Sequence, residues 1–519
     1  MRTIYSLRNM ATGFAGQILK FLIGFISRTV FIYCLSEEYL GINGLFGSVL
    51  TVLCLADLGI GSCIIYALYK PIADSNTEKI KSLMDFYRRA FRVIGTVFLI
   101  VGTALTPVLP YLAKGGTDLV NLKVIYLMMV LEMTSSYWFF AYKGAILEAD
   151  QKGYVISIIS FLISLLNSVL RIVLLLLLRS DPRLSFYVYS AVGITTNILS
   201  NYLVKRQVDR MYPYLRDENI TPLTKEEKAP ILRNVAGMAA NRICRVLNDG
   251  IDSTVISALI GVARTGVFSN YLMLRSSVDA ILRTIFGSMH SSIGNFCAVE
   301  TPERKEEFLR NLHFIYFWVY GFCSISLWIM FRPFIIGVWL HDTKWLLAPW
   351  EEFLLVFNFL IEGLAGAVVK YRDVHGLFWQ TRYRYIFSSV LNAALSIVLV
   401  GPAGLGVGGA LLGTTVSLIV MLSFDPSLVY REAFGKKAWE FYRMYFRDLA
   451  LVMATGALVK LATLPFSTPS WGGFFACGVL CAVIPNGLWY LLFRRSPQFL
   501  YMKNKAAGLL RHFAKKKKA

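Results

Sequence analysis

The stretch Tyr39–Ala73, "YLGINGLFGSVLTVLCLADLGIGSCIIYALYKPIA", decides the class of fold. It is apolar almost throughout and dotted with small residues, yet Asp57 sits near its middle. A run of this length exceeds the roughly 20 residues that cross a bilayer as a helix. A carboxylate facing lipid there is costly, so Asp57 needs a wet or paired environment. Similar runs recur along all 519 residues, of which 56% are hydrophobic and only 16% charged. About 14 windows qualify by hydropathy: 10–35, 41–69, 88–112, 118–143, 154–178, 184–204, 231–260, 265–297, 311–340, 345–369, 382–400, 405–430, 448–466 and 471–493. This predicts an all-α polytopic membrane protein. A membrane β-barrel would show alternating segments of about 10 residues instead.

The first window has signal-like flanks, Arg2 and Arg8. It is too long, carries Lys20 and Arg28, and ends without a small-residue cleavage site, so it reads as a retained helix.

The net charge of +21 suggests nucleic acid until its location is considered. Long connections such as "KPIADSNTEKIKSLMDFYRR", "KRQVDRMYPYLRDENITPLTKEEK" and "REAFGKKAWEFYR" alternate with short ones such as "SEEY", "AKGGTD", "GVAR" and "HDTK". About 38 Lys and Arg fall on the first side, termini included, against about 5 on the second. This bias predicts that both termini are cytoplasmic. The basic excess then reports topology and contact with anionic membrane lipids, the tail "RHFAKKKKA" included.

An internal repeat organises the chain. Asn9 and Asn234 open the first and seventh windows, 225 residues apart. The same offset relates Thr29-Val30 to Thr254-Val255, Gly41-Ile42 to Gly266-Val267, and "NSVLRIVL" from Asn167 to "NAALSIVL" from Asn392. No gap is needed over about 160 residues. Six windows per repeat, an even number, give both halves the same orientation, related by a pseudo-two-fold axis along the membrane normal. The expected lobes are 1–215 and 216–436, with the last two windows and the tail, 437–519, appended. Two such lobes imply a central cavity and access that alternates as they rock.

Polar residues inside the windows mark candidate sites. In the first window Asn9, Gln17, Lys20, Ser27 and Arg28 share a wedge of roughly 100°. In the seventh, Asn234, Arg242, Arg245, Asp249 and Asp252 do the same, and the repeat makes these equivalent faces. In the eighth, Arg275, Asp279 and Arg283 are spaced by four. Each unpaired charge costs at least roughly 2.5–3.5 kcal/mol at mid-helix, so these faces should line a wet interior. Lys20, Arg28, Arg242, Arg245, Arg275 and Arg283 outnumber their acidic neighbours and suit an anionic, phosphate-bearing substrate. Asp57, Asp249, Asp252 and Asp279 read equally as structural ion-pair partners or as proton- or sodium-coupling groups. Pairing with a base such as Lys20 answers for Asp57. Glu132, Arg171 and Glu362 read as paired or snorkelling charges.

Enzyme signatures are scarce. There is no "GxxxxGK[ST]" loop, and the five histidines form no metal-binding spacing. "GLGVGG" at Gly404–Gly409 lacks a strand–turn–helix context and reads as a small-residue turn. The eight cysteines are scattered in apolar segments and read as core residues. No cofactor, metal or catalytic residue is expected.

With these residues in view, the chain resembles the oligosaccharide flippases of the multidrug/oligosaccharidyl-lipid/polysaccharide superfamily, the Wzx-type exporters of O-antigen and capsule repeat units. "YLGINGLF" (39–46), "LADLGIGS" (55–62), "YALYKPIA" (66–73), "TGVFSNY" (265–271) and "SSIGN" (291–295) carry the resemblance. It implies a 14-helix fold like that of the superfamily's multidrug transporters, in a bacterial plasma membrane. It also implies export of polyprenyl-diphosphate-linked oligosaccharides without ATP, alongside a polysaccharide polymerase and glycosyltransferases. Two relatives of the same superfamily are the alternatives, a lipid II-type peptidoglycan precursor flippase and a multidrug/cation antiporter. A membrane polysaccharide polymerase is disfavoured because the outer connections are too short to hold a catalytic loop.

Overall fold

A computed structural model describes residues 22–53, 60–115, 119–150, 152–217, 220–287, 300–375, 377–466 and 470–504, the single positions 19, 293 and 296, and the backbone alone through most of 234–249. The regular elements are helices. In chain order they are α1 (Leu22–Cys34), α2 (Glu37–Leu53), α3 (Ile60–Ala73), α4 (Thr77–Ala104), α5 (Leu109–Leu112), α6 (Leu122–Trp138), α7 (Gly144–Ala149), α8 (Gly153–Leu177), α9 (Pro182–Met211), α10 (Lys225–Leu259) and α11 (Val262–Gly287). They continue with α12 (Pro302–Phe334), α13 (Pro349–Val374), α14 (Phe378–Val400), α15 (Gly406–Phe434), α16 (Trp439–Thr463) and α17 (Trp471–Phe493).

Local chemistry sets the ends. Asn76 caps α4 by accepting from the Lys79 amide at 3.0 Å, and Asp181 accepts from Arg183 and Leu184 at the start of α9. Thr224 and Glu227 form a reciprocal capping box on α10. Pro182, Pro302 and Pro349 stand at first helical positions, where no amide partner is lost. Gly404 (φ 64°) and Gly406 (φ 59°) turn the chain into α15, so "GLGVGG" is a turn followed by a helix.

Among the described residues, eight helical segments are long and apolar enough to span a membrane, and α6 with α7 makes a ninth, bent by 43°. The bend falls after Trp138, where Phe140 takes φ 63°. The other windows hold helices that are shorter, as α1 and α3 are, or more polar, as α9, α10 and α11 are. The polar faces read from sequence lower the hydropathy of α10 and α11. α8 shows why lipid is the solvent: it buries only Val155 and Leu175 and exposes Ile158, Leu162, Val173 and Leu177. Such a face is stable only against hydrocarbon or another protein.

The chain divides into two compact units, Met1–Asn270 and Tyr271–Ala519, with the cut inside α11. In the first unit Ile64, Leu68, Ile146, Leu147 and Val208 pack α3, α7 and α9 into one core. In the second, Phe317, Phe359, Leu364, Val429, Tyr445 and Trp489 join α12, α13, α15, α16 and α17. The indole of Trp489 donates to Thr455 Oγ1 at 3.2 Å, which settles its one polar atom inside that core. Cys477 and Cys481 are buried and unbridged, as small core residues.

Helix boundaries follow the sequence repeat. Glu37 and Val262, Thr77 and Pro302, and Gly153 and Phe378 all open helices at the 225-residue offset. Cys34 and Leu259 close helices at the same offset.

Candidate functional site in the helical core

The first unit holds a close crossing of the equivalent helices α2 and α11. A Cβ on Gly41 would stand 1.8 Å from the Val262 carbonyl oxygen, and one on Gly266 would stand 2.3 Å from that of Glu37. Only glycine lets two backbones approach this far. The contact is reciprocal under the repeat: Gly41 corresponds to Gly266, and Glu37 to Val262. Gly44 extends it, facing Ser269. The hairpin between α10 and α11 is held alongside. The Val262 amide donates to the Lys114 carbonyl at 3.0 Å, and Ser257 Oγ donates to the Leu112 carbonyl at 2.8 Å.

Arg28 on α1 fastens this crossing. Its Nε donates to Asn270 Oδ1 at 3.0 Å and its Nη2 donates to Ser269 Oγ. Among the described residues no carboxylate pairs with it. Asn270 is completely buried. The guanidinium therefore rests on neutral acceptors, an arrangement whose charge-assisted hydrogen bonds are worth about 1.5–3 kcal/mol each.

In the second unit, α11 and α13 present an ionic patch. Arg275 Nη2 donates to Glu362 Oε2 at 2.8 Å, and Arg283 pairs with Asp279 at 2.6 Å. The ladder read on one helix is thus one pair within α11 and one across to α13. The Arg283 side chain is 62% exposed and that of Glu362 50%. Aromatic rings back the patch: the Arg275 guanidinium lies 5.9 Å from the Phe359 ring, and Phe286 stacks on Tyr316 at 3.9 Å. Charges exposed this far along an apolar helix call for water beside them.

The remaining expected residues divide into two groups. Lys20 and Asp57 lie outside the described residues, as do the side chains of Arg242, Arg245 and Asp249 on α10. Asp252 is on α10, half-buried. Glu132 and Arg171, which the sequence left as paired or snorkelling charges, converge on Gly193 of α9, where an added Cβ would meet Glu132 Oε2 at 2.4 Å and Arg171 Nη2 at 2.5 Å. Arg171 also donates to the Tyr189 carbonyl at 3.2 Å and lies over its ring. Sequence reasoning missed Ser269 and Asn270 as partners of Arg28. Both lie in "TGVFSNY", and the paired glycines at offset 225 were the available signal that this block meets α2. Among the described residues no cluster of His, Cys, Asp or Glu fits a metal ion.

Comparison with known proteins follows the same lines. No family profile matches the chain. A Yersinia pseudotuberculosis protein named for O-antigen export is 22% identical over 437 residues, covering 80% of this chain and 93% of its own. The structure of the lipid II flippase MurJ in an inward closed conformation aligns with a TM-score of 0.64 at 13% identity, over 92% of this chain and 98% of that one. An inward-facing multidrug resistance transporter of the MATE family and MOP superfamily aligns with a TM-score of 0.59 at 16% identity, over 79% and 94%. The chain has the polytopic, all-helical fold of these structures.

Proposed function

We propose that this chain is an alternating-access flippase that carries a polyprenyl-diphosphate-linked saccharide from the inner to the outer leaflet of a bacterial plasma membrane. The observation that carries the reading is the likeness to the lipid II flippase along 92% of the chain. The basic excess among the charges of its polar helix faces supports it and disfavours a cation antiporter, which needs acidic walls. Within this substrate class the structural likeness favours a lipid II-type precursor. The weaker sequence likeness favours an O-antigen or capsule repeat unit.

The mechanism follows from charge. A diphosphate cannot cross bare lipid, because burying an unpaired anion costs far too much. In this reading the chain spans the membrane 14 times, as lobes 1–215 and 216–436 with 437–519 appended, and both termini are cytoplasmic. Lys20, Arg242, Arg245, Arg275 and Arg283 meet the diphosphate. Arg275 and Arg283 exchange Glu362 and Asp279 for it. Arg28 and the Gly41–Gly266 crossing, which adjoin the short connections, form the outer gate. The membrane potential drives an anion outward by roughly 2.3 kcal/mol per charge per 100 mV. Proton or sodium antiport through Asp57, Asp249, Asp252 or Asp279 is an added drive. It is refuted if collapsing the ion gradients at held potential leaves transport unchanged.

Native mass spectrometry of the purified protein tests the substrate. Copurified polyprenyl-diphosphate saccharide, lost in an Arg242→Ala/Arg245→Ala variant, supports the reading, and its mass separates lipid II from a repeat unit. Retention in the variant rejects the assigned ligands. Binding of organic cations in place of any glycolipid favours the antiporter.

A further inference from the structure

A cavity of about 410 Å³ opens in the second unit where α12, α16 and α17 end. It has a basic rim, Arg310, Arg443 and Arg447, and apolar walls, Phe314, Met444 and Phe493. The chain segments that reach it, 299–310, 431–443 and the run after Phe493, all belong to the Lys/Arg-rich set of connections. Its acids are already engaged. Asp448 is 1% exposed and is held by Arg447 at 2.7 Å and by His313 Nε2 at 3.2 Å. Glu440 pairs with Arg310, which also binds Glu306 at 2.6 Å. Arg443 is exposed and pairs with no carboxylate among the described residues. Arg494 and Arg495 follow α17 directly and are likewise exposed.

The site thus offers a cation in surplus, a cavity of ligand size and a greasy wall at one end of membrane-spanning helices. Its volume falls in the range of about 300–1,000 Å³ usual for small-ligand sites. Basic pockets between helices on the cytoplasmic side suit anionic headgroups. A soluble anion would leave Phe314, Met444 and Phe493 without use. A zwitterionic lipid would bring its own cation against Arg443.

We propose that this cavity binds an anionic phospholipid of the cytoplasmic leaflet. Arg443 holds the phosphodiester, Arg447 and Gln498 flank the headgroup, and the first methylenes lie on Met444 and Phe493. The lipid braces the ends of α16 and α17 against α12. The proposal does not depend on which substrate is transported.

The test uses the full chain purified from nanodiscs holding equal phosphatidylglycerol and phosphatidylcholine of matched chains, read by native mass spectrometry. Wild type should retain phosphatidylglycerol selectively. One charge near a membrane surface is worth about fivefold in affinity, so Arg443→Glu should lower retention at least fivefold and Arg443→Lys should keep most of it. Arg443→Gln replaces Arg443→Glu if the latter does not purify as a folded species. Equal retention of both lipids, or unchanged retention in the charge-reversed variant, overturns the proposal. Displacement by millimolar glycerol 3-phosphate reassigns the cavity to soluble phosphates, and displacement by a polyprenyl diphosphate reassigns it to the transported substrate. Either result also overturns it.

Discussion

Replacing Gly266 by alanine should open the crossing of α2 and α11. The new Cβ would stand 2.3 Å from the Glu37 carbonyl oxygen and 3.2 Å from the Gly41 amide, where ordinary contact begins at 3.4 Å. The two backbones must then separate by about 1 Å, and overpacking of this kind costs about 1–3 kcal/mol. If the crossing exists only while the gate is closed, the whole cost falls on that state. The closed-to-open ratio then drops by about 5- to 150-fold. Gly41→Ala should act more strongly, since its Cβ would lie 1.8 Å from the Val262 carbonyl. Thr265, fully buried beside the crossing, is the reporter. A Thr265→Cys protein with Cys34 replaced by serine is labelled on intact cells with a membrane-impermeant maleimide. Labelling should speed up at least fivefold on adding Gly266→Ala. A rate within twofold of the parent, together with a lowered melting temperature, would mean that the crossing persists in both states. That result refutes its role as a gate.

Three further outcomes follow from the geometry. A double-mutant cycle between Arg28→Gln and Asn270→Ala, read by thermal unfolding in detergent, should give a coupling of about 1.5–3 kcal/mol; additive effects would show that the 3.0 Å hydrogen bond contributes nothing. Gly193→Val should drive the Glu132 carboxylate and Arg171 guanidinium from their places and cost about 1–3 kcal/mol, the range for overpacking; wild-type stability of that variant would contradict the placement. At the junction of α7 and α9, burial pushes the Asp150 carboxyl up, but hydrogen bonds from Lys152 and Tyr212, at 2.6 and 2.5 Å, outweigh it and hold it below the ordinary range. A carboxylate lowered on folding stabilises above its unfolded pKa, so this contribution should be full above about pH 4 and fade as pH falls through the folded value. Asp150→Asn should remove that acid-limb dependence from the pH profile of the melting temperature, and an unchanged profile would contradict the assignment.

The all-helical, polytopic character was legible because hydropathy and helix ends are local signals. Pro302 and Pro349 mark helix starts without reference to anything distant. The 225-residue offset likewise anticipated where helices open and close. The break after α6 was not legible, since Phe140 at φ 63° carries no glycine or proline signature. Site partners were only partly legible. Helical spacing placed Asp279 four residues from Arg283, and the pair forms. The same spacing offered Asp279 to Arg275, but Glu362 takes it from a helix 87 residues away. One helix's periodicity cannot choose between a partner on the same face and a partner across the packing. Arg28 shows the same limit: it was read as a cation for substrate, and its described partners are the neutral Ser269 and Asn270.

The most direct test of the central claim is lipid translocation by the purified protein. Proteoliposomes holding a polyprenyl-diphosphate-linked saccharide in both leaflets are imposed with a membrane potential, and the saccharide in the outer leaflet is read with an added glycan-modifying enzyme. The account predicts potential-dependent movement across the bilayer, abolished in the Arg242→Ala/Arg245→Ala variant. Movement no faster than in protein-free vesicles, alongside gradient-driven efflux of organic cations, would contradict it.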